Sequence, residues 1–174
     1  KANIFKPLKM NNTLFYDDHE KIVKNRTYSY YTDSTGVKKS VLNYANVGAT
    51  SLFTTVEDLS LWSINFSNMR VGDSTIINKM NKPAMLNNGK GFGGALGQFV
   101  GEYKGLNEIQ HGGADAGYRS YLTRFPDENF SVIVLSNSAE FSSGTMAYKV
   151  VDIYLKDRIK MEPKEKLVKE ESIF

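Results

Sequence analysis

Residues 111–120 read HGGADAGYRS, and the predicted fold is organised around them. This stretch holds one of only two histidines in the chain, followed at once by two glycines, with a third glycine at Gly117. An imidazole that ends a strand, beside backbone bare enough for a ligand to approach, is typical of a binding or catalytic edge. A surface turn with an incidental histidine is the competing interpretation.

The segments on either side of this stretch predict an α+β domain. We expect an antiparallel sheet with strands over residues 92–100, 107–112, 118–125 and 130–136, the last apolar on both faces and therefore covered. A helix begins near Ser143, with an apolar stripe that suits packing on the sheet. The stripe consists of Met146, Ala147, Val150, Val151, Tyr154 and Leu155. The fold class is thus an antiparallel sheet with helices packed on it.

The first half of the chain predicts shorter elements. Pro7 is expected to stop a short helix, and residues 26–42 form a loose hairpin. Thr54 and Glu57 have the spacing of a capping box at the start of a helix whose apolar face carries Leu59, Trp62, Phe66 and Met69. A second helix begins at Ser74, with Ile76, Ile77 and Met80 on its buried face. The cluster at residues 17–20 could hold a metal ion, but adjacent acids on a loop are usually a solvated surface.

Composition excludes several classes of protein. The 174 residues carry a net charge of +3, from 22 basic and 19 acidic side chains without a basic stripe, so nucleic acid is not an expected partner. No cysteine is present, which excludes a cysteine nucleophile, a disulfide framework and a thiolate zinc site. No apolar run approaches the roughly 18 residues that span a bilayer.

The organisation of the chain is simple. We predict one domain over residues 1–158 and a charged tail or linker over residues 159–174. The chain begins at Lys1 rather than methionine, and we expect it to be a piece of a longer polypeptide whose missing segments would carry any membrane attachment.

Four segments together resemble the C-terminal half of the serine beta-lactamase-like hydrolases, the family of class C beta-lactamases, D-alanyl-D-alanine carboxypeptidases and related esterases. The first is similar to the family's iFxPLGMxxT segment, with Lys9 where glycine is usual. The second resembles its GGlxSTxxDLxxW segment, and the third its Lys-Thr-Gly or His-x-Gly strand motif. The fourth resembles its closing strands. In order, these segments are IFKPLKM (4–10) with Thr13, VGATSLFTTVEDL (47–59) with Trp62, HGG (111–113) with Gly117-Tyr118, and FPD (125–127) with VIVLSN (132–137).

The resemblance implies an incomplete beta-lactamase/transpeptidase-like fold and acyl-enzyme chemistry without a metal or cofactor. His111 would line the pocket, and the backbone N–H of Ala114 would supply one of two oxyanion donors. Gly112 and Gly113 would let the substrate lie along the strand as an extra strand. Arg119 would hold an anionic group of the substrate, or would equally be a solvated strand residue.

The departures from the family pattern concern the nucleophile. No serine in this sequence has lysine three positions later, so the family's Ser-x-x-Lys motif is absent. Tyr44-Ala45-Asn46 matches the family's Tyr-x-Asn pattern but lies after the PLGM-like segment, where the family does not carry that motif. We therefore expect the nucleophile and the functional tyrosine in missing upstream chain.

Two functions remain open at this point. The chain belongs either to a serine hydrolase acting on a small-molecule or peptide substrate, inactive as this piece alone, or to a non-catalytic binding or regulatory protein that keeps the fold. The resemblance implies a location outside the cytoplasm. An unpaired sheet edge and apolar helix surface at Met146, Val150 and Tyr154 predict self-association of the piece.

Overall fold

The computed structural model describes residues 1–160. The predicted charged tail therefore lies, apart from Ile159 and Lys160, outside the described residues. In chain order the elements are α1 (Phe5–Leu8), β1 (Leu14–Phe15), β2 (Ser29–Asp33), β3 (Gly36–Ser40), β4 (Leu52–Phe53), α2 (Val56–Asn68), α3 (Ser74–Asn81), β5 (Phe99–Tyr103), β6 (Leu106–Asp115), β7 (Tyr118–Phe125), β8 (Phe130–Ser136) and α4 (Ser143–Tyr154).

A four-stranded antiparallel sheet in the order β5-β6-β7-β8 forms the centre of the fold, as predicted. Helix α4 packs on one face of this sheet, and α2 contacts β8. The main core lies between the sheet and α4, because the apolar stripe of α4 meets the inward-facing residues of the strands. Its buried members are Leu106, Phe125, Val132, Ala147, Val151 and Leu155.

Two predicted strand boundaries are wrong. The first strand of the sheet begins at Phe99 rather than residue 92, because Gly93 and Gly97 adopt positive φ values of 78° and 72° that interrupt extended backbone. Strand β6 does not end at residue 112 either. It continues through both glycines to Asp115, since every residue from Ile109 to Asp115 pairs with β7.

Buried hydrogen bonds join the first two segments of the family resemblance, the one that includes Thr13 and the one that includes Asp58. The Thr13 hydroxyl donates to the Asp58 carboxylate at 2.6 Å, and the Asn12 N–H donates to the same oxygen at 2.8 Å. Thr13 and Asp58 are 2% and 3% exposed. Hydrogen bonds to a buried charge are among the stronger ones in proteins. These contacts therefore stabilise the fold, and the Asp58 carboxylate is occupied by them.

The predicted helix ends need correction in two places. Thr55, rather than Thr54, caps α2 by accepting from the Asp58 N–H at 3.2 Å. Thr54 is unavailable because its hydroxyl bonds that of Thr13 at 2.8 Å. Pro7 lies inside α1, which ends instead where Lys9 takes a left-handed φ of 62°. That conformation favours glycine, which explains why glycine is usual at this position in the resembled family.

The remaining elements follow the prediction with local exceptions. The hairpin of β2 and β3 forms within residues 26–42, and α3 begins at Ser74 as predicted. Ile76 on α3 is 48% exposed, so only Ile77 of its predicted buried residues is fully covered. On α4, Met146 and Tyr154 are 39% and 71% exposed. Among the described residues, no helix has both the length and the apolarity needed to cross a membrane.

Candidate functional site

The second half of β6, residues 111–115, is a strand edge that is paired on one side only. Strand β5 pairs with β6 as far as Phe99 opposite Gln110, and β7 continues alongside β6 to Asp115. Beyond Gln110, no strand within residues 1–160 lies on the outer side of β6. His111, Gly113 and Ala114 are exposed. The predicted site residues on this strand therefore share one open edge.

The strand register indicates which amide groups point out of this edge. A two-residue turn is closed by a hydrogen-bonded pair, here Asp115 with Tyr118. Backbone groups alternate in direction along a strand, so those of His111, Gly113 and Asp115 face β7. The N–H and C=O groups of Gly112 and Ala114 consequently face outward. The Ala114 N–H is thus free to donate to a ligand on the edge.

The His111 side chain lies on the edge with one nitrogen already bonded. Its Nδ1 is 2.6 Å from the carbonyl oxygen of Gly112, and its ring stacks on Phe99 with centroids 5.8 Å apart. A carbonyl oxygen can only accept, so Nδ1 carries the proton in this bond. This leaves Nε2 as the free nitrogen, which accepts a hydrogen bond when the ring is neutral and donates one when it is charged.

The three glycines of the motif serve different purposes. A Cβ at Gly117 would lie 2.6 Å from the Tyr30 carbonyl oxygen, so hairpin β2–β3 requires glycine there. A Cβ at Gly113 would meet only the Ser120 hydroxyl, at 2.4 Å, which is the end of a rotatable side chain. Gly112 is intermediate, with the Tyr121 ring at 3.2 Å. Packing therefore explains Gly117 fully and Gly113 hardly at all, which favours a ligand at Gly113.

Arg119 lies beside this edge but is largely engaged. It pairs with Ala114 across the sheet, and its Nη1 donates to the carbonyl oxygens of Ala116 and Tyr118 at 3.1 and 2.8 Å. Arg119 and Glu140 both line a small cleft that borders this strand. A bond from the Thr32 N–H, with a smaller contribution from the charge of Arg119, holds the pKa of Glu140 below its ordinary value. An anion bound at Arg119 would therefore have a carboxylate nearby.

Tyr44, from the misplaced Tyr-x-Asn pattern, reaches the end of the same strand. Its hydroxyl donates to the Asp115 carboxylate. That hydrogen bond raises the pKa of Tyr44 above its ordinary value, because ionisation would place a phenolate against a carboxylate. Tyr44 is therefore a protonated donor at neutral pH rather than a base.

A partly buried polar network, which the sequence analysis did not identify, lies beneath the edge and supports it. The Tyr121 ring lies under Gly112, and its hydroxyl is 2.8 Å from that of Tyr148. Tyr148 donates to Glu108 at 2.9 Å, and Thr123 donates to the same carboxylate at 2.7 Å. Burial, followed by these bonds, raises the pKa of Tyr148 far above its ordinary value. The network fixes the face of β6 opposite the open cleft.

The exposed side of the edge borders a cleft of about 940 Å³. The strand supplies one wall, and the opposite wall is mostly apolar, with Leu52, Phe53, Trp62 and Phe66. An apolar cavity with a few convergent polar groups is the usual form of a small-molecule or peptide site. Arg124 also lines this cleft, and sequence reasoning missed it because a basic residue on a strand normally reads as solvated.

The acidic cluster at residues 17–20 is exposed at all four positions. Within residues 1–160, no three side chains of the metal-ligating types are grouped closely enough to hold an ion.

Comparison with known proteins places these features in one family. Residues 1–155 match the sequence profile described as Beta-lactamase. No curated protein sequence matches the chain.

Solved structures share the fold at low sequence identity. The octameric penicillin-binding protein homologue from Pyrococcus abyssi has a TM-score of 0.76 and 21% identity over 89% of this chain and 36% of its own. The D-stereospecific amidohydrolase from Streptomyces sp. has a TM-score of 0.69 and 18% identity, over 89% of this chain and 47% of its own. The penicillin-binding protein from Bacillus halodurans has a TM-score of 0.69 and 16% identity, over 87% of this chain and 47% of its own.

The chain thus spans between about a third and a half of the length of these structures. Its architecture is a partial beta-lactamase/transpeptidase-like fold of mixed helices and antiparallel sheet. Since the family profile covers most of the 174 residues, the chain belongs to the Beta-lactamase family.

Proposed function

We propose that this chain forms one wall of a serine-hydrolase active site that hydrolyses an amide or ester through an acyl-enzyme. The observation that carries the proposal is the open half of β6, where an outward N–H, a free imidazole nitrogen and a glycine without a packing role adjoin one cleft. The nucleophile comes from a segment of the protein outside these 174 residues, because no Ser-x-x-Lys lies within them.

The edge would contribute to catalysis mainly by positioning and by electrostatics. A substrate lying along residues 111–115 would pair with the outward groups of Gly112 and Ala114 as an added strand. Attack of the serine on its carbonyl carbon would place negative charge on the carbonyl oxygen, and the Ala114 N–H would donate to that oxygen. Because this donor is held by the β6–β7 ladder, it needs no rearrangement during the reaction.

The roles of the two charged candidates follow from their geometry. With Nδ1 held by Gly112, the Nε2 of His111 would bond either the functional tyrosine or a carboxylate of the substrate. Arg119 would act on a substrate anion only through the N–H groups that Ala116 and Tyr118 leave free. By family resemblance, we propose a location outside the cytoplasm.

Labelling of the full-length protein tests this function. We expect a fluorophosphonate or a penicillin to modify one serine outside residues 1–174, and the 174-residue chain alone to remain unlabelled and inactive on nitrocefin and p-nitrophenyl acetate. A full-length protein without any labelled serine would instead support a binding or regulatory protein that keeps the fold. Turnover by the isolated chain that is lost with one of its own serines would contradict the proposal directly.

A variant of His111 tests its role in that reaction. We expect His111→Ala to lower the acylation rate of the full-length protein by about 10²-fold, the lower end for a group that bonds the reacting centre. Stability should hardly change because the side chain is exposed. Asn107→Ala is the matched control, an exposed residue on the same strand and the same face. Wild-type acylation kinetics in His111→Ala would make His111 a structural residue.

A further inference from the structure

The Tyr121 side chain projects from β7 toward α4, on the face of the sheet opposite His111. Tyr121 pairs with Gly112 of β6 across the ladder, so the two residues share one face of the sheet. Phe125 follows four residues later on the same face and is buried in the core beneath α4. The Tyr121 ring therefore lies behind the open half of β6, on the α4 side.

One edge of the Tyr121 ring lies against two glycines. A Cβ added at Gly112 would lie 3.2 Å from the ring atom Cδ2, and one added at Gly144, near the start of α4, would lie 3.5 Å from the same atom. The ring thus fills the space that a side chain at Gly112 would otherwise take, and it joins this residue to α4. Since Gly112 has no side chain with which to pack, its place on this face depends on the ring.

Hydrogen bonds hold the ring in this orientation. The single hydroxyl hydrogen of Tyr148 is donated to Glu108 at 2.9 Å, so the Tyr121 hydroxyl is the donor in its 2.8 Å bond to Tyr148. Tyr148 is fixed in turn because its ring stacks on that of Tyr103, with centroids 4.2 Å apart. Glu108 is 5% exposed and takes part in no salt bridge within residues 1–160. Its buried carboxylate therefore requires hydroxyl donors and keeps them in place.

We propose that Tyr121 is a positioning residue, which transmits the placement of α4 to Gly112 and so sets the course of residues 111–115. The inference rests on the function proposed above, because the outward groups of Gly112 and Ala114 are those that would bond the substrate. Strand β5 supports the other half of β6 but ends opposite Gln110. Support from the α4 side takes its place along the open half. A misplacement of about 1 Å costs on the order of 10²-fold in rate, so removing the ring should slow acylation.

The test compares full-length Tyr121→Leu, Tyr121→Phe and Phe130→Leu with the wild type. Tyr121→Leu removes the ring, and Tyr121→Phe retains it. Phe130→Leu is the matched control, because it removes a ring from the same core at a position on β8 that pairs with Phe125 rather than with the open half of β6. Two rates are measured on the folded proteins. One is acylation by a fluorophosphonate, and the other is hydrogen exchange of the Gly113 and Ile109 N–H groups, which face β7.

The expected result is a local change at the open half of β6. Relative to Phe130→Leu, Tyr121→Leu should speed exchange at Gly113 by about 10-fold with little change at Ile109, and slow acylation by about 10- to 100-fold. Tyr121→Phe should keep both rates close to those of the wild type. The inference is overturned if Tyr121→Leu and Phe130→Leu give the same exchange at Gly113 or the same acylation rate.

The exchange measurement separates this inference from the proposed function. If no serine of the full-length protein is labelled, the hydrolase function fails and exchange at Gly113 alone decides whether Tyr121 holds the strand. Faster exchange in Tyr121→Leu than in Phe130→Leu then supports that role, and equal exchange overturns it. If Tyr121→Leu does not fold, Tyr121→Met replaces it in both measurements, because the flexible methionine side chain refills part of the space.

Discussion

The two halves of strand β6 differ in what surrounds them. Residues 106–110 all pair with β5, Ile109 and Gln110 pair with β7 as well, and Leu106, Glu108 and Ile109 are buried. Residues 111–115 have β7 on one side only, and three of the five are exposed. One continuous strand is therefore a core element for half its length and a free edge for the other half. Pairing with β7 thus holds the open half in place while its other side stays free for a ligand.

The largest expected effect separates the two halves by stability. Leu106→Ala should lower the free energy of unfolding by about 2–5 kcal/mol, because Leu106 packs in the core against α4. His111→Ala, on the exposed half, should change it by about 0.5 kcal/mol or less. Urea unfolding of the two variants measures both values. Equal losses would show that the two halves carry the fold equally.

A smaller effect distinguishes the glycines of the open half from the glycine of the turn. Gly117→Ala should cost about 1–3 kcal/mol, since its new Cβ meets the rigid backbone of Tyr30. Gly113→Ala should cost clearly less, because Ser120 can rotate its hydroxyl away. Urea unfolding midpoints decide the order, and a Gly113 variant as unstable as the Gly117 variant would mean that both glycines are packing requirements.

The weakest expected effect concerns the outer surfaces of the isolated chain. Strand β8 has β7 on one side and no described strand on the other, and Ile153 and Tyr154 on α4 are 68% and 71% exposed. We propose that the 174-residue chain alone self-associates through these surfaces, as open edges and apolar patches do. Sedimentation velocity over a tenfold concentration range should show a rising average mass. A constant monomer mass that binds no hydrophobic dye would contradict this.

The periodic segments could be predicted from the sequence, and the irregular ones could not. Strand β7, strand β8 with its run that is apolar on both faces, and the start of α4 lie where their apolar patterns predicted them, because burial of apolar side chains gives rise to these patterns. The predicted strand start at residue 92 is wrong because the positive φ angles of Gly93 and Gly97, rather than hydrophobicity, determine the backbone path there. The prediction of Thr54 as the N-cap of α2 is wrong because the Thr54 hydroxyl bonds Thr13, which lies 41 residues away in sequence.

The residues of the candidate site likewise fall into those that could be identified from the sequence and those that could not. His111 and the glycines could be found because their residue types are unusual on a strand. The outward direction of the Ala114 N–H depends on the pairing of Asp115 with Tyr118, which no local pattern specifies. Glu108 and Arg124 look like solvated charges in sequence and are buried only because tyrosines of α4 and β7, and Phe66 of α2, cover them.

We propose that the Ala114 N–H, which points out of the open edge of β6, stabilises the oxyanion. Ala114→Pro removes this N–H and, since the group does not pair with β7, should leave the ladder intact, as proline is tolerated on strand edges. Ala114→Val keeps the N–H with a side chain of similar size. The direct measurement is the rate of acylation of the full-length protein by a fluorophosphonate. We predict a fall of about 10²–10³-fold for Ala114→Pro and little change for Ala114→Val. Equal rates in the two folded variants would contradict an oxyanion-stabilising role for this N–H.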